Sequence, residues 1–419
     1  MIGRTLRGTA IVGALVFSFV VTSSAWAASP VLWASPTGGT TACTHAAPCS
    51  LARAVQLAAA GDTVVALPGV YHGGVRFDKR LALRGSGAVI DASSTSFGNG
   101  VQIFGPGGSG SSVEGFKIEN AEFEGILVGT SPVAPGTTDG TPVTSGAPVS
   151  HVTITDNILV DNGTGFGTTA GQCFSTPNAP GDCGETIHLV SVTHSVVAGN
   201  DVEGNLGGIL LTDEFGPTSR NVISGNRSIG NSDDCGITLA GHSSAAVSPV
   251  TGLPTGAAGV FDNLVEFNVS GDNGVAGQGA GILLGGGAPY AGVYGNVIRD
   301  NVARGNGLAG ITIHQHLVGD LNGNVIEHND VSNDNLDGDF DFAAAAAKDT
   351  TGILVASGVP PGPALPPPLV PGPITGTVIR DNSISAVKVG IWTLGVDPAS
   401  TTITGNVFGA GVTTPISTN

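Results

Sequence analysis

Apolar residues along this chain recur in short alternating runs, each closed by Asn, Gly or Asp. One phrase returns, V-I-x-x-N-x-x-x-x-N-x-x-x-G-I-x-L, as in Asn296-Val-Ile-Arg-Asp-Asn301 leading to Gly310-Ile311-Thr-Ile313. Its Gly-Ile anchor falls at Ile126, Ile209, Ile237, Ile282, Ile311, Ile353 and Ile391, with a Thr186-Ile187 variant. The steps 209→237 and 282→311 are 28 and 29 residues; longer steps hold inserts rich in Pro, Gly, Ser or Ala. Period-two alternation predicts about three short strands per unit, with turns between them. A unit this short cannot bury its own apolar face, so neighbours must stack.

The simplest object that satisfies this pattern is a single all-β, right-handed parallel β-helix with one coil per repeat. Asn recurs at steps of five, as in Asn200/Asn205, Asn226/Asn231 and Asn296/Asn301/Asn306. Stacked coil on coil these predict side-chain amide ladders at left-handed turns, because Asn tolerates that backbone and bonds local backbone groups. Ser50 to Ala60 predicts a helix with Ser50 as N-cap and Gly61 as stop, placed to cap the open N-terminal end of the stack.

Composition sharpens the picture. Gly is 67 of 419 residues and charged residues are 11%, which opposes a helical bundle. A hydrophobic content of 41% opposes disorder. The formal charge of −17 excludes nucleic acid and anionic membranes as partners. Residues 1–27 read as a signal peptide: Arg4 and Arg7, an apolar stretch from Ile11 to Val21, then Ala25-Trp26-Ala27. Residues 28–419 would be one secreted domain, extracellular or periplasmic and without membrane insertion, its coils at about 61–415. Cys43/Cys49 and Cys173/Cys183 are each spaced for a local disulfide, leaving Cys235 as a small buried filler.

The stretch GDTVVALPGVYHGGVRFDKRLALRGSG, the helix before it and the Asn-rich coils resemble the right-handed parallel β-helix (pectate-lyase-like) superfamily. Pectate lyases, polygalacturonases, polyuronate epimerases and a periplasmic copper-binding accessory group share that architecture. The resemblance covers about residues 31–415 and implies the fold, while activity depends on what is grafted on it. Asp233-Asp234 followed by Gly241-His242 is similar to a polygalacturonase pattern. The Asn-Thr-Asp and Arg-x-Lys elements expected of that family are missing.

Candidate chemistry follows from the register. With each anchor Ile inward, His188, Thr238 and Thr312 share one outward column, Thr212 and His314 a second, and Glu214, His242 and His316 a third, with Asp213 beside them. Glu185, Asp233 and Asp234 fall at one edge of the same face. This concentration predicts a site on an extended groove: Asp213, Glu214, Asp233, Asp234 and His242 as catalytic residues, with His188, Glu185, Thr212 and Thr238 lining a polysaccharide. Paired carboxylates suit acid–base work on a sugar acetal, which places hydrolysis first and elimination or epimerisation next. The scarcity of basic residues favours a neutral glycan over a polyuronate. The alternative is a non-catalytic protein that binds a surface glycan or carries a metal of the copper type. His242, His314 and His316 are the candidate ligands for a divalent ion (Ca, Zn or Cu). Asp337, Asp339 and Asp341 form a second acidic cluster that lacks EF-hand spacing. The sequence leaves the oligomeric state open.

Overall fold

A computed structural model describes residues 30–39, 42–129, 147–165, 185–275, 279–336, 350–358 and 370–418. The expected leader, Cys173/Cys183 and Asp337/Asp339/Asp341 lie outside them. Among the described residues the chain winds into stacked coils whose strands form three parallel sheets. An 11-stranded sheet runs from Val75–Phe77 to Thr414–Thr418, and a 6-stranded sheet runs beside it. The 21-stranded sheet is fused at its N-terminal side by the long strands Ala82–Asp91 and Ser112–Glu119.

The Gly-Ile anchors set the register of the 11-stranded sheet. Ile126 pairs with Ile187, Ile187 with Ile209, Ile209 with Ile237, then Ile282, Ile311, Ile353 and Ile391 in turn. All eight are fully buried in one continuous core. Glycine precedes most anchors because the next coil approaches its backbone closely there. A Cβ on Gly208 would lie 1.9 Å from the Gly236 carbonyl oxygen, and one on Gly236 1.9 Å from Ser270 Oγ.

The amide ladders form as expected. Asn157, Asn200, Asn226, Asn268, Asn301, Asn329, Asn382 and Asn406 make one ladder, each Nδ2 donating to the next Oδ1 at 2.9–3.0 Å. A second ladder runs from Asn162 through Asn205, Asn231, Asn273 and Asn306 to Asp334. Each ladder Oδ1 also accepts the backbone N–H of the residue one coil earlier, as in Asn200 N–H to Asn226 at 3.0 Å. The ladder oxygens and the backbone N–H groups they face are thereby paired without water. One detail differs from expectation. The left-handed residue is the one before each ladder Asn, for example Asp156, Gly199, Gly225, Phe267 and Asp300. The Asn side chain is the ladder and its neighbour is the turn, which explains the Asp-Asn and Gly-Asn pairs.

Near the N-terminus a helix covers Leu51–Leu57, with Ser50 Oγ accepting from Arg53 N–H. It ends at Ala58, three residues before Gly61, where the Asp62 carboxylate accepts the Ala59 N–H at 2.7 Å and turns the chain into the next strand. Leu51, Ala54 and Val55 are its buried residues. Cys43 and Cys49 form a disulfide, and Cys235 is a buried free thiol.

Candidate functional site

The sequence-derived residues lie on the outer side of the 11-stranded sheet, on strands Glu185–Val190, Gly207–Thr212, Ile237–Gly241, Ile282–Gly286 and Ile311–Gln315. The register pairs His188 with Leu210, Leu210 with Thr238, and Gly285 with His314. The face is less open than the columns imply. Phe215 packs on Leu127 and Val190, and Leu283 on Cys235, Ala280 and Leu308. His188, Thr212, Glu185 and Thr238 are all buried.

The structure brings Glu214 and His242 together. Glu214 Oε1 lies 2.8 Å from His242 Nδ1, with the two side chains 11% and 13% exposed. Burial pushes the Glu214 carboxyl up. The hydrogen bond and charge of His242, then the His188 charge and the nearby Thr212 hydroxyl, more than offset this and hold it at about 2. Glu214 is therefore an anion at neutral pH and accepts the Nδ1–H, which fixes the tautomer of His242. The imidazole edge carrying Cδ2 and Nε2 lies over Gly287, where a Cβ would come within 2.9 Å and 3.3 Å of those atoms. The pair borders an open cleft of about 440 Å³ lined by Glu214, Phe215, Gly216, Ser243, Ala245, Ala257 and Ala258. The 243–258 insert supplies one wall.

Asp213 does not stand beside them as a second acid facing the groove. It is fully buried. Its Oδ1 accepts from His242 N–H at 2.6 Å and Ser243 N–H at 3.0 Å, and its Oδ2 from Gly259 N–H at 2.7 Å. Burial, then the Glu214 charge, push it up to about 7, against the pull of the backbone N–H groups. Its alternation places it on the inner side of the corner, where it ties down both ends of the insert. Asp233 and Asp234 sit at the opposite edge of the sheet, with Asp233 exposed and Asp234 Oδ1 accepting from Cys235 N–H at 2.6 Å. The four carboxylates thus fail to make a facing pair.

The sequence reading missed Glu124. It is 1% exposed and its Oε1 is 3.4 Å from His188 Nδ1, while His188 Nε2 is 2.9 Å from Thr212 Oγ1. Its signal is positional: Glu124 stands two residues before Ile126, as Glu185 stands before Ile187.

His314 and His316 have ring centroids 5.0 Å apart and tilted by 43°, and His316 Nδ1 faces the Gly358 carbonyl at 3.2 Å. His314 leans over Gly285 from the next coil, as His242 does over Gly287. Among the described residues no three His, Cys, Asp or Glu side chains gather closely enough to hold a metal ion. His242, His314 and His316 therefore surround a glycine floor without forming a three-ligand cage.

The architecture decides the classification. The chain has the right-handed parallel β-helix fold. The A-module of mannuronan C-5 epimerase AlgE4 from Azotobacter vinelandii superposes on this β-helix with a TM-score of 0.54 at 17% identity, covering 88% of this chain and 93% of that one. An alginate lyase from Paenibacillus sp. str. FPU-7 is similar at 14% identity and a TM-score of 0.48, over 90% of this chain and 99% of its own. At 17% identity the likeness to the epimerase module is one of fold. A family model described as periplasmic copper-binding protein (NosD) matches residues 148–302 of the β-helix. A comparison with curated protein sequences finds no match. No helix among the described residues is long and apolar enough to cross a membrane.

Proposed function

We propose that this β-helix is an exported carbohydrate-active protein, extracellular or periplasmic, with the Leu51–Leu57 helix capping its N-terminal end. A glycan chain would lie along the outer side of the 11-stranded sheet, and Glu214 and His242 would supply acid–base chemistry at the cleft. The observation that carries this reading is the 2.8 Å contact between Glu214 and His242 Nδ1 at the cleft mouth. A carboxylate that fixes one imidazole nitrogen leaves the other to take and return a proton near neutral pH. With Asp213 bound up by backbone N–H groups and Asp233/Asp234 remote, the imidazole is the better candidate base than any pair of carboxylates. Hydrolysis then needs His242 to activate water. Elimination or epimerisation needs it to remove a sugar C–H proton, with charge developing on the substrate. Fold-level similarity to an epimerase module supports polysaccharide as the ligand class by analogy.

Mass spectrometry of products from a panel of neutral and acidic polysaccharides tests this, with Glu214→Gln and His242→Gln as controls. Products heavier by one water mean hydrolysis, and unsaturated products mean elimination. Deuterium uptake from heavy water into an intact chain means epimerisation. No product and no deuterium uptake on any polysaccharide would remove the enzyme reading.

A second reading is metal carriage, favoured by the family match over residues 148–302. That segment contains His151, His188, His194 and His242 but excludes His314 and His316. In this reading the protein is a non-catalytic accessory factor. Copper(II) titration of the intact protein, followed by electron paramagnetic resonance, tests it: a stoichiometric signal with nitrogen hyperfine structure, lost in His242→Ala, would favour it over the enzyme.

A further inference from the structure

The outer side of the 21-stranded sheet carries a pattern that the cleft does not use. Strands Val222–Ser224, Leu264–Glu266, Val297–Arg299, Val325–Glu327, Thr377–Arg380 and Thr401–Thr404 stack there in that order. Ile223, Val265, Ile298, Ile326 and Ile379 lie fully buried in the core, so the residues on either side of each point outward. One outward row reads Val222, Leu264, Val297, Val325, Val378, Thr402, and the next reads Ser224, Glu266, Arg299, Glu327, Arg380, Thr404. The first five residues of the apolar row are only half-buried. The turns that follow their strands are two residues long, from Gly225-Asn226 to Asp381-Asn382, so no insert shields the face on that side. Arg299 Nε and Nη2 donate to Glu266 Oε2 at 2.9 and 2.7 Å, and Arg380 Nε donates to Glu327 Oε2 at 2.7 Å. Among the described residues, Oε1 of each Glu and Nη1 of each Arg make no hydrogen bond.

We infer that this face is the contact between two copies of the chain, packed about a two-fold axis that runs along the strand direction. Such an axis reverses the order of the coils and sets each row against itself. With the axis between Val297–Arg299 and Val325–Glu327, Glu266 meets Arg380 of the second copy and Arg299 meets Glu327. Ser224 meets Thr404, Leu264 meets Val378, and Val297 meets Val325. In the turn row alongside, Asp300 meets His328. Every charge on the Glu266-to-Arg380 row faces its opposite, and apolar faces apolar. Two copies with their coils running in the same direction would instead set Glu on Glu and Arg on Arg, which charge forbids. A polyanion or a polycation would meet two like charges among the four. Six coils at about 4.8 Å make the face about 29 Å long, and five residues of strand rise make it about 17 Å wide. That is roughly 500 Å², below the ~800 Å² per partner of a standard interface, so the dimer is a weak one. The inference does not depend on what the 11-stranded sheet binds.

The test is sedimentation equilibrium of the exported protein from about 1 μM to about 1 mM, without any glycan present. The expected result is a reversible dimer with a Kd of about 10–100 μM. Arg299→Glu/Arg380→Glu sets four like charges on each face and should weaken it at least tenfold. Val297→Lys, which leaves every ion pair within the chain intact, should do the same. The full reversal, Glu266→Arg/Arg299→Glu/Glu327→Arg/Arg380→Glu, keeps both the ion pairs within the chain and the match between its own copies. It should dimerise with itself like the parent, yet fail to join a fluorescently labelled parent chain, because every charge then meets its like. A parent that stays monomeric at about 1 mM would overturn the inference. So would a dimer that neither Arg299→Glu/Arg380→Glu nor Val297→Lys weakens, or a reversed variant that mixes freely with the parent. Should a charge variant fail to fold, the parent and Val297→Lys decide the question.

Discussion

Asp334 occupies a place where the second ladder otherwise carries Asn. Its Oδ1 accepts from Asn306 N–H at 3.0 Å and Asn306 Nδ2 at 2.7 Å, as an Asn oxygen would. Its Oδ2 is buried with no hydrogen-bond partner. Burial is the main cause that pushes the carboxyl up to about 7 from 3.8, with the Asp272 charge adding to it and the Asn306 bonds opposing. A carboxyl whose pKa is higher folded than unfolded stabilises the fold fully below the unfolded value. That contribution is lost as pH rises through about 7. At about 1.4 kcal/mol per unit, a shift of about three units bounds the effect at ~4 kcal/mol, and relaxation reduces the expected value to about 1–3 kcal/mol. Asp334→Asn removes the titration. It also supplies an amide that, by the spacing of Asn329 Nδ2 to the Ile298 carbonyl, reaches the Ala303 carbonyl. Urea denaturation of both proteins from pH 4 to 8 is the assay. The variant should gain stability over the parent progressively above pH 4 and level off beyond about pH 7. A difference that stays flat with pH, or a parent that is more stable at pH 8, refutes the reasoning.

Asp213→Ala leaves three N–H donors of a buried corner without their acceptor and should cost about 2–4 kcal/mol, read as a lowered melting temperature with parent-like circular dichroism. Gly287→Ala drives a methyl group into the His242 ring. It should lower turnover at least tenfold on the substrate identified by the product screen, while the melting temperature moves little, since the ring edge can shift toward the cleft. Reducing the Cys43–Cys49 bond, which spans six residues, should lower the melting temperature modestly, by the equivalent of about 2 kcal/mol, and Cys43→Ser/Cys49→Ser should match it.

Most of the fold was legible because a coil repeats its chemistry. The Gly-Ile phrase names the residues that pair across the 11-stranded sheet, and the Asn steps name the ladders. Both were readable since stacking places like residues on like. The pairing of Glu214 with His242 came from the same register. What the register could not supply was the behaviour of side chains next to an insert. Asp213 lies one residue from Glu214, but the insert brings back Ser243 and Gly259, whose N–H groups capture its carboxylate. The outer columns read as an open groove until Phe215, from just after its strand, folds back onto Leu127 and Val190. Glu124 escaped notice because it precedes an anchor, outside the columns read after it. Asp334 was visible in the spacing Asn324, Asn329, Asp334, but only the ladder geometry gives that departure a consequence.

The Asp213 carboxylate grips the departure point of the 243–258 insert at His242 and Ser243, and its return point at Gly259. Thermodynamically this is a stapled loop: the mouth is closed before the loop's own length matters. Changes between Pro249 and Leu253, beyond the Ala246–Val247 contact with Tyr290, should then scale only with the logarithm of loop length and leave the coil beneath undisturbed. The wall of the cleft is thus a replaceable cassette on a fixed frame. Libraries that vary its length and composition can alter what the cleft admits while Glu214 and His242 keep their places.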